Sequence, residues 1–166
     1  MIPADAPCRS SKTFCQPLCA LRAFWDAKRG TRPMPERRDV LAEEFRPWFG
    51  HMVICKVEGD AARLRVTLAG TEVVRYYSRD LTGQYLDIAL AAAGLHWVVD
   101  SYRECARTQA PQLVFSPPIT VQGTARALLR LLLPCGRDGR VDTILSGIYP
   151  VNGAVPSCSV LPETHR

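Results

Sequence analysis

Four carboxylates in the second half of the chain are the residues best suited to acid–base chemistry. Asp80, Asp87, Asp100 and Glu104 are of the type that transfers protons in active sites. Arginines follow Asp100 and Glu104 at a spacing of three, which brings opposite charges together on the surface of a helix. The spacing therefore favours solvated ion pairs, and we predict no catalytic residue among them.

Histidines and sequence motifs give no stronger catalytic signal. The sequence has no GxSxG elbow, no phosphate-cradling glycine loop and no HExxH pair, the patterns that mark hydrolases, kinases and zinc proteases. His51 begins a predicted strand and His96 lies on the flank of a predicted helix, so structural or solvent-facing roles are favoured over acid–base or haem-ligand roles. We therefore predict that the chain is not an enzyme.

The cysteines indicate reduced thiols rather than a disulfide framework or a metal site. Seven cysteines are an odd number in a chain of 166 residues, which argues against systematic pairing. Cys8, Cys15 and Cys19 are separated by six and three residues with no histidine nearby, unlike the close pairs of structural zinc sites. Cys55 and Cys105 lie in apolar contexts and are predicted core residues. No metal and no cofactor are predicted.

Composition indicates one globular domain in the cytoplasm. Hydrophobic residues make up 47% and charged residues 22%, which is typical of soluble folded domains. The longest apolar segment, residues 88–99, is interrupted by Gly94 and His96, so we expect no membrane span. Residues 1–38 hold eight Lys/Arg against three Asp/Glu. Such a basic leader attracts nucleic acid, but scattered charges are more typical of a solvated face, which we favour.

The first half of the chain is predicted to form helices followed by a hairpin. Apolar residues at helical spacing predict a helix that begins at Pro17 and stops at Gly30. A second short helix follows, with Asp39 as its cap and an apolar side formed by Leu41, Phe45 and Trp48. Strands are predicted over residues 51–57 and 62–68, where polar and apolar residues alternate around the Glu58-Gly59-Asp60 turn.

The second half is predicted to form a helical region and an antiparallel meander. Thr71 is the predicted cap of a short helix. A long helix is predicted over residues 86–108, with a core-facing stripe of Ile88, Ala91, Leu95, Val98, Tyr102 and Cys105. Strands follow over residues 112–121, 124–133 and 140–149, and Pro117-Pro118 predicts a bulge or an early break in the first of them.

This succession predicts an α+β fold: a five-stranded antiparallel sheet with helices on one face plus an N-terminal helical extension. The expected organisation is a flexible tail (1–16), the helical extension (17–50), a domain (51–150) and a loose C-terminal tail (151–166). Motifs such as Leu68-Ala69-Gly70-Thr71 and Asp80-Leu81-Thr82-Gly83 come in an order that resembles a family of small, mostly alphaproteobacterial PAS-like proteins of formerly unknown function.

The resemblance implies a PAS fold with an internal cavity. The elements that wall this cavity in PAS folds supply Tyr76, Tyr77, Trp97, Tyr102 and Phe115, which are candidates to line a pocket for a small apolar or aromatic ligand. Plain core packing is the alternative for these residues. Flavin photochemistry is not expected, because no cysteine lies in the Asn-Cys-Arg context that covalent flavin binding needs.

Two surfaces are candidates for contact with a protein partner. The apolar side of the first helix is predicted to dock onto a partner or a second copy of the chain, although packing on its own sheet is the alternative; it comprises Leu18, Leu21, Phe24 and Trp25. Arg126 and Arg130 share one strand face, with Arg63 and Arg65 possible neighbours, and suggest a basic surface for an acidic helix, with solubility as the alternative.

Three functional hypotheses follow from these observations. The first is a stand-alone PAS-like sensory or regulatory domain that acts through protein–protein interaction and has no output module of its own. The alternative is a small-molecule sensor or carrier that uses the internal cavity for an unidentified ligand. The third is an enzyme on an α+β scaffold that uses Asp or Tyr for proton transfer.

Overall fold

The protein is described by a computed structural model that covers residues 16–60, 62–91, 93–121 and 124–151, with the backbone alone at residues 117–121 and 124–126. The predicted tails lie outside the described residues except for Gln16 and Val151, which belong to a helix and a strand. In chain order the elements are α1 (Gln16–Arg29), two 3₁₀ segments (Arg37–Asp39 and Ala42–His51), β1 (Met52–Glu58), β2 (Arg63–Ala69), α2 (Thr71–Tyr77), α3 (Leu86–Ala91), α4 (His96–Thr108), β3 (Gln112–Val121), β4 (Thr124–Arg137) and β5 (Arg140–Val151).

The five strands form one antiparallel sheet in the order β2-β1-β5-β4-β3, which confirms the predicted α+β fold. All five strands were predicted, each start to within one residue, because alternating apolar residues and glycine turns mark them. The register of β3 against β4 shifts between Ser116 and Ile119, where the two prolines predicted a bulge. Proline lacks the amide donor that a regular ladder requires.

Helices cover both faces of the sheet. Ser146 on β5 donates a hydrogen bond to the Tyr102 hydroxyl of α4, whereas a side chain at the next residue, Gly147, would meet Leu18 and Leu21 of α1. Successive residues of a strand point to opposite faces. α4 therefore covers one face, as predicted for the helices of the domain, and α1 covers the other.

The docking face predicted on α1 is buried within the chain itself, which corrects that prediction. Leu18, Leu21 and Trp25 are almost fully buried, and the Trp25 indole donates to the Pro134 carbonyl oxygen over 2.8 Å. Phe24 is partly buried against aromatic rings of the second 3₁₀ segment. The alternative interpretation, packing on the chain's own sheet, describes α1.

The predicted long helix is two helices, because the chain turns at Gly94. Gly94 adopts a φ of +69°, which an L side chain rarely adopts, and α3 and α4 lie on either side of it. The change of direction moves Ile88 and Ala91 out of the core, so that Ile88 is 65% exposed. The predicted core-facing stripe is confirmed only within and beside α4, where Leu95 and Tyr102 are buried.

Two predicted helix caps were also wrong. The Asp39 carboxylate accepts the Glu36 amide and stabilises the first 3₁₀ turn, not the segment that follows. Thr71 lies inside α2, whose N-cap is Gly70. A side chain at Gly70 would approach the Phe49 carbonyl oxygen to 2.1 Å, so this close contact requires glycine.

The second predicted helix is a 3₁₀ segment instead of an α-helix. It contains Pro47, which supplies no amide donor to a helical ladder. Phe45 and Trp48 face the core as predicted, but Leu41 is 51% exposed. No helix in the described part of the chain is both long and apolar enough to cross a membrane.

Candidate functional site

Arg130 lies in the interior of the domain. It is on β4, an inner strand, opposite Val114 of β3 and Ile148 of β5, and only 1% of its surface is exposed. Its Nη2 donates to the hydroxyl of Tyr77 on α2. Nε and Nη1 have no hydrogen-bond partner among the described residues. A charged group is therefore held inside the protein by one neutral contact.

Two serines share the sheet face on which Arg130 lies. Ser116 pairs with Leu128, two residues along β4 from Arg130, and its fully buried hydroxyl has no partner among the described residues. Ser146 lies two residues along β5 from Ile148 and donates to the Tyr102 hydroxyl over 2.7 Å. We call Arg130, Tyr77, Ser116, Ser146 and Tyr102 the Arg130 cluster.

Burial keeps the Tyr102 phenol and the nearby Cys55 thiol protonated at neutral pH. Burial raises the pKa of the Tyr102 phenol far above its usual range, because the phenolate would lose its hydration. Cys55 on β1 pairs with Ile144 and so points to the same face as Ser146; burial raises its thiol pKa to about 12. Tyr102 and Cys55 are therefore hydrogen-bonding groups and not anionic nucleophiles at neutral pH, beside the positively charged side chain of Arg130.

The basic surface predicted from Arg126 and Arg130 is corrected by the strand order and by burial. Arg130 is inside the protein, not on a surface. Arg63 and Arg65 lie on β2, which β1 and β5 separate from β4, and both stack near the ring of Tyr85. Arg126 pairs with Ile119 in the backbone ladder, and its side chain lies outside the described part.

The five predicted pocket residues do not form one lining. Tyr77 and Tyr102 belong to the Arg130 cluster. Phe115 pairs with Leu129 and therefore points to the opposite face, which α1 covers. The Tyr76 hydroxyl lies 3.4 Å from His51 Nδ1. Trp97 is partly buried against the core. The prediction that the five share a pocket remains only for Tyr77 and Tyr102.

A groove of about 370 Å³ lies elsewhere, between the connector after α1 and the β4–β5 turn. Its lining includes Arg32 and Glu36 on one side and Arg137 on the other. Arg137 approaches Glu36 across the groove at 4.0 Å, and Arg32 contacts Asp39 outside the lining at 2.8 Å. None of the predicted pocket residues lines it, so this groove is not the predicted cavity.

Three of the four carboxylates considered for catalysis pair with arginines, Asp87 with Arg63 among them, whereas Asp80 accepts the Thr82 amide. Asp100 pairs with Arg103 at 3.5 Å, and both Glu104 oxygens accept from Arg107, as the spacing predicted. Among the described residues, no group of three or more His, Cys, Asp or Glu side chains is placed to hold a metal ion.

Sequence reasoning missed Ser116, Ser146 and the burial of Arg130. The available signal was the run Leu128-Leu129-Arg130-Leu131-Leu132-Leu133, in which five of six residues are apolar. A strand with no polar alternation is covered on both faces, so an arginine within it is expected inside the protein.

Comparison with known proteins gives one family match and several similar solved structures. The family model described as "PAS domain" matches residues 13–149. The LOV protein of Rhodobacter sphaeroides is similar in structure, with a TM-score of 0.50 and 14% identity over 66% of this chain and 65% of that chain. The PAS domain of Bordetella pertussis BvgS gives a TM-score of 0.43 and 16% identity over 81% of this chain and 88% of that one. No curated protein matches the chain.

Proposed function

This chain belongs to the PAS domain family, and we propose that it is a sensory domain whose signal is a small molecule bound at the Arg130 cluster. PAS domains are sensory and not typically enzymatic. The proposal adopts the second hypothesis drawn from the sequence, the small-molecule sensor, ahead of docking through α1 or a basic strand face. The predicted face of α1 is buried, and the arginines of the predicted basic face lie on strands that are not neighbours in the sheet.

The single observation that carries the proposal is the unpartnered polar surface inside the domain. Buried polar groups in folded proteins are nearly always hydrogen-bonded, yet Arg130 Nε and Nη1 and Ser116 Oγ have no partner among the described residues. Arg130 and Ser116 lie on the same face of the sheet, near α2 and α4. A bound molecule that accepts hydrogen bonds there would remove the cost of leaving these groups unpaired.

The contacts of α2 supply a route by which binding would affect the surface. Arg130 is bonded to Tyr77 at the C-terminal end of α2. At the other end, Gly70 packs directly on the backbone of Phe49 and Gly50. A ligand that repositions the Arg130 guanidinium would therefore move α2 against the second 3₁₀ segment, whose Phe49 is 37% exposed.

We propose further that a partner protein responds to this change, since PAS domains commonly bind other proteins or dimerise. The first hypothesis, a domain that acts through protein–protein interaction, is retained in this form. Homodimerisation and a cytoplasmic location stay predictions.

Native mass spectrometry of protein purified from its own source tests the proposal. We expect a mass above that of the chain, which denaturation releases. Where no molecule is retained, a small-molecule extract of the source should raise the melting temperature. Ligand at 100 times its Kd would stabilise the fold by about 2.7 kcal/mol, or roughly 5–11 °C in a domain of this size. No retained mass and no thermal shift would contradict ligand sensing.

Hydrogen–deuterium exchange locates the binding site in the same sample. Ligand should slow amide exchange in α2 and α4, which adjoin the Arg130 cluster, and leave α1 unchanged on the opposite face of the sheet. Protection confined to α1 would contradict the proposed location.

A further inference from the structure

We infer that the ligand of the Arg130 cluster carries a carboxylate, which pairs with the buried guanidinium of Arg130; this inference rests on the proposed function. The evidence is that the guanidinium is buried and lacks most of its hydrogen-bond partners among the described residues. Arg130 is 1% exposed, and among the described residues its only hydrogen-bond partner is the Tyr77 hydroxyl. A phenol accepts a hydrogen bond but supplies no formal charge to offset that of the guanidinium.

The charge of Arg130 is what distinguishes an anion from water as the missing partner. Buried water commonly satisfies polar groups in proteins, and it would accept the free N–H groups. Water leaves the positive charge uncompensated, however, and an uncompensated buried charge is strongly destabilising. No described Asp or Glu pairs with Arg130. A negative group from outside the described chain accounts for both the free donors and the charge.

The geometry of the guanidinium favours a planar anion with two oxygens. Arginine presents five N–H donors in two planar forks, Nε with Nη2 and Nη1 with Nη2. Tyr77 accepts from Nη2, which has two hydrogens, so the second hydrogen of Nη2 completes one fork with either Nε or Nη1. A carboxylate matches such a fork through two parallel hydrogen bonds.

The neighbours of Arg130 on the same face define the remainder of the ligand. The Ser116 hydroxyl is free to donate to an anion, while Leu128, Leu132 and Ile148 present apolar side chains. One cation with neutral polar neighbours suits a monoanion better than a dianion such as phosphate, which would leave excess negative charge buried. We therefore assign the ligand class as a monocarboxylate with a small apolar or aromatic body.

Removal of the Arg130 charge tests the inference without knowledge of the natural ligand. Arg130→Met keeps an apolar side chain of similar length and eliminates an uncompensated charge, so the ligand-free protein should melt at a higher temperature than the parent. Arg75→Met is the matched control, because Arg75 lies on the exposed side of α2 in a surface pair with Glu72. If Arg130→Met instead melts well below both proteins after ligand removal, the guanidinium already has its partner and the inference is wrong.

Binding of matched acids and amides is the second measurement. Straight-chain carboxylates of two to eight carbons and phenylacetate are titrated by calorimetry beside the corresponding neutral amides and inorganic phosphate. At least one carboxylate should bind while its amide and phosphate do not. Its Kd should rise about 30-fold or more in Arg130→Met, because loss of one partner of a buried charge pair costs at least about 2 kcal/mol. Arg130→Lys, which lacks the planar fork, should also bind weakly, and Arg75→Met should bind like the parent.

The outcomes separate this inference from the proposed function. A retained molecule that is neutral, or whose affinity Arg130→Met leaves unchanged, would overturn the carboxylate assignment and leave ligand sensing in place. Failure of the whole panel to bind, together with no retained mass and no shift from the extract, would overturn both.

Discussion

Leu21 on α1 has no exposed surface, and its truncation tests whether α1 belongs to the core of its own chain. The Leu21 and Leu18 side chains lie directly over Gly147, and a glycine has no side chain with which to fill a gap. We therefore expect Leu21→Ala to lower the free energy of unfolding by about 3–4 kcal/mol, within the roughly 2.7–5.0 kcal/mol found for buried leucines. In a domain of this size the melting temperature should fall by about 6–16 °C.

Urea unfolding followed by circular dichroism measures the effect, with Leu41→Ala as the matched control. Leu41 is 51% exposed, so the same chemical change there should alter the free energy of unfolding by less than about 0.5 kcal/mol. Native mass spectrometry of both variants reports the oligomeric state. Equal midpoints for the two variants would refute the packing of α1 on the sheet. A parent dimer that Leu21→Ala converts to an equally stable monomer would place α1 on a second copy of the chain.

Two further substitutions test local features of the fold. Gly70→Ala should lower the free energy of unfolding by about 3 kcal/mol or more, because the added Cβ would lie 2.1 Å from the Phe49 carbonyl oxygen. Gly50→Ala is the control, since a Cβ there meets nothing closer than 3.4 Å. Similar urea midpoints for the two variants would contradict this contact. The Lys28 ammonium lowers the pKa of Glu44 below its usual 4.5. The stabilisation by this ion pair is therefore present above about pH 4.5 and lost as the pH falls through the lower pKa of Glu44 in the folded state. Glu44→Gln should therefore reduce the fall in urea midpoint between pH 6 and pH 3, and an undiminished fall would contradict the ion pair.

The strands were predictable from the sequence because their signals are local. Alternation within residues 62–68 and the glycine turns fix where each strand begins, and the two prolines at 117 and 118 mark the register shift of β3. Helix boundaries were less predictable, since they depend on contacts between distant residues. The backbone of Phe49 and Gly50, which makes Gly70 the cap of α2, is about twenty residues away in the sequence.

The break at Gly94 shows a different limit. Ile88, Ala91, Leu95 and Val98 recur at the spacing of one helix face, and the pattern does not record that the chain changes direction between them. A glycine in a helical pattern lowers helix stability by only about 1 kcal/mol, so tertiary contacts decide whether the helix continues. Here α3 contacts β2 while α4 contacts β3, β4 and β5. Two helices with different directions therefore pack against these strands better than one continuous helix.

The position of Arg130 depended on which faces of the sheet are covered, and its sign in the sequence is the leucine run around it rather than an alternating pattern. Alternation distinguishes a core face from a solvent face only when one face is exposed. In β4 both sets of alternating residues are buried, since Leu129 and Leu131 face α1 while Leu128 and Leu132 share the Arg130 face. An arginine in such a strand cannot reach solvent by a change of register, because a one-residue slip would exchange one covered face for the other. Arg130 is therefore buried on whichever face it lies, and among the described residues no negative group balances its charge.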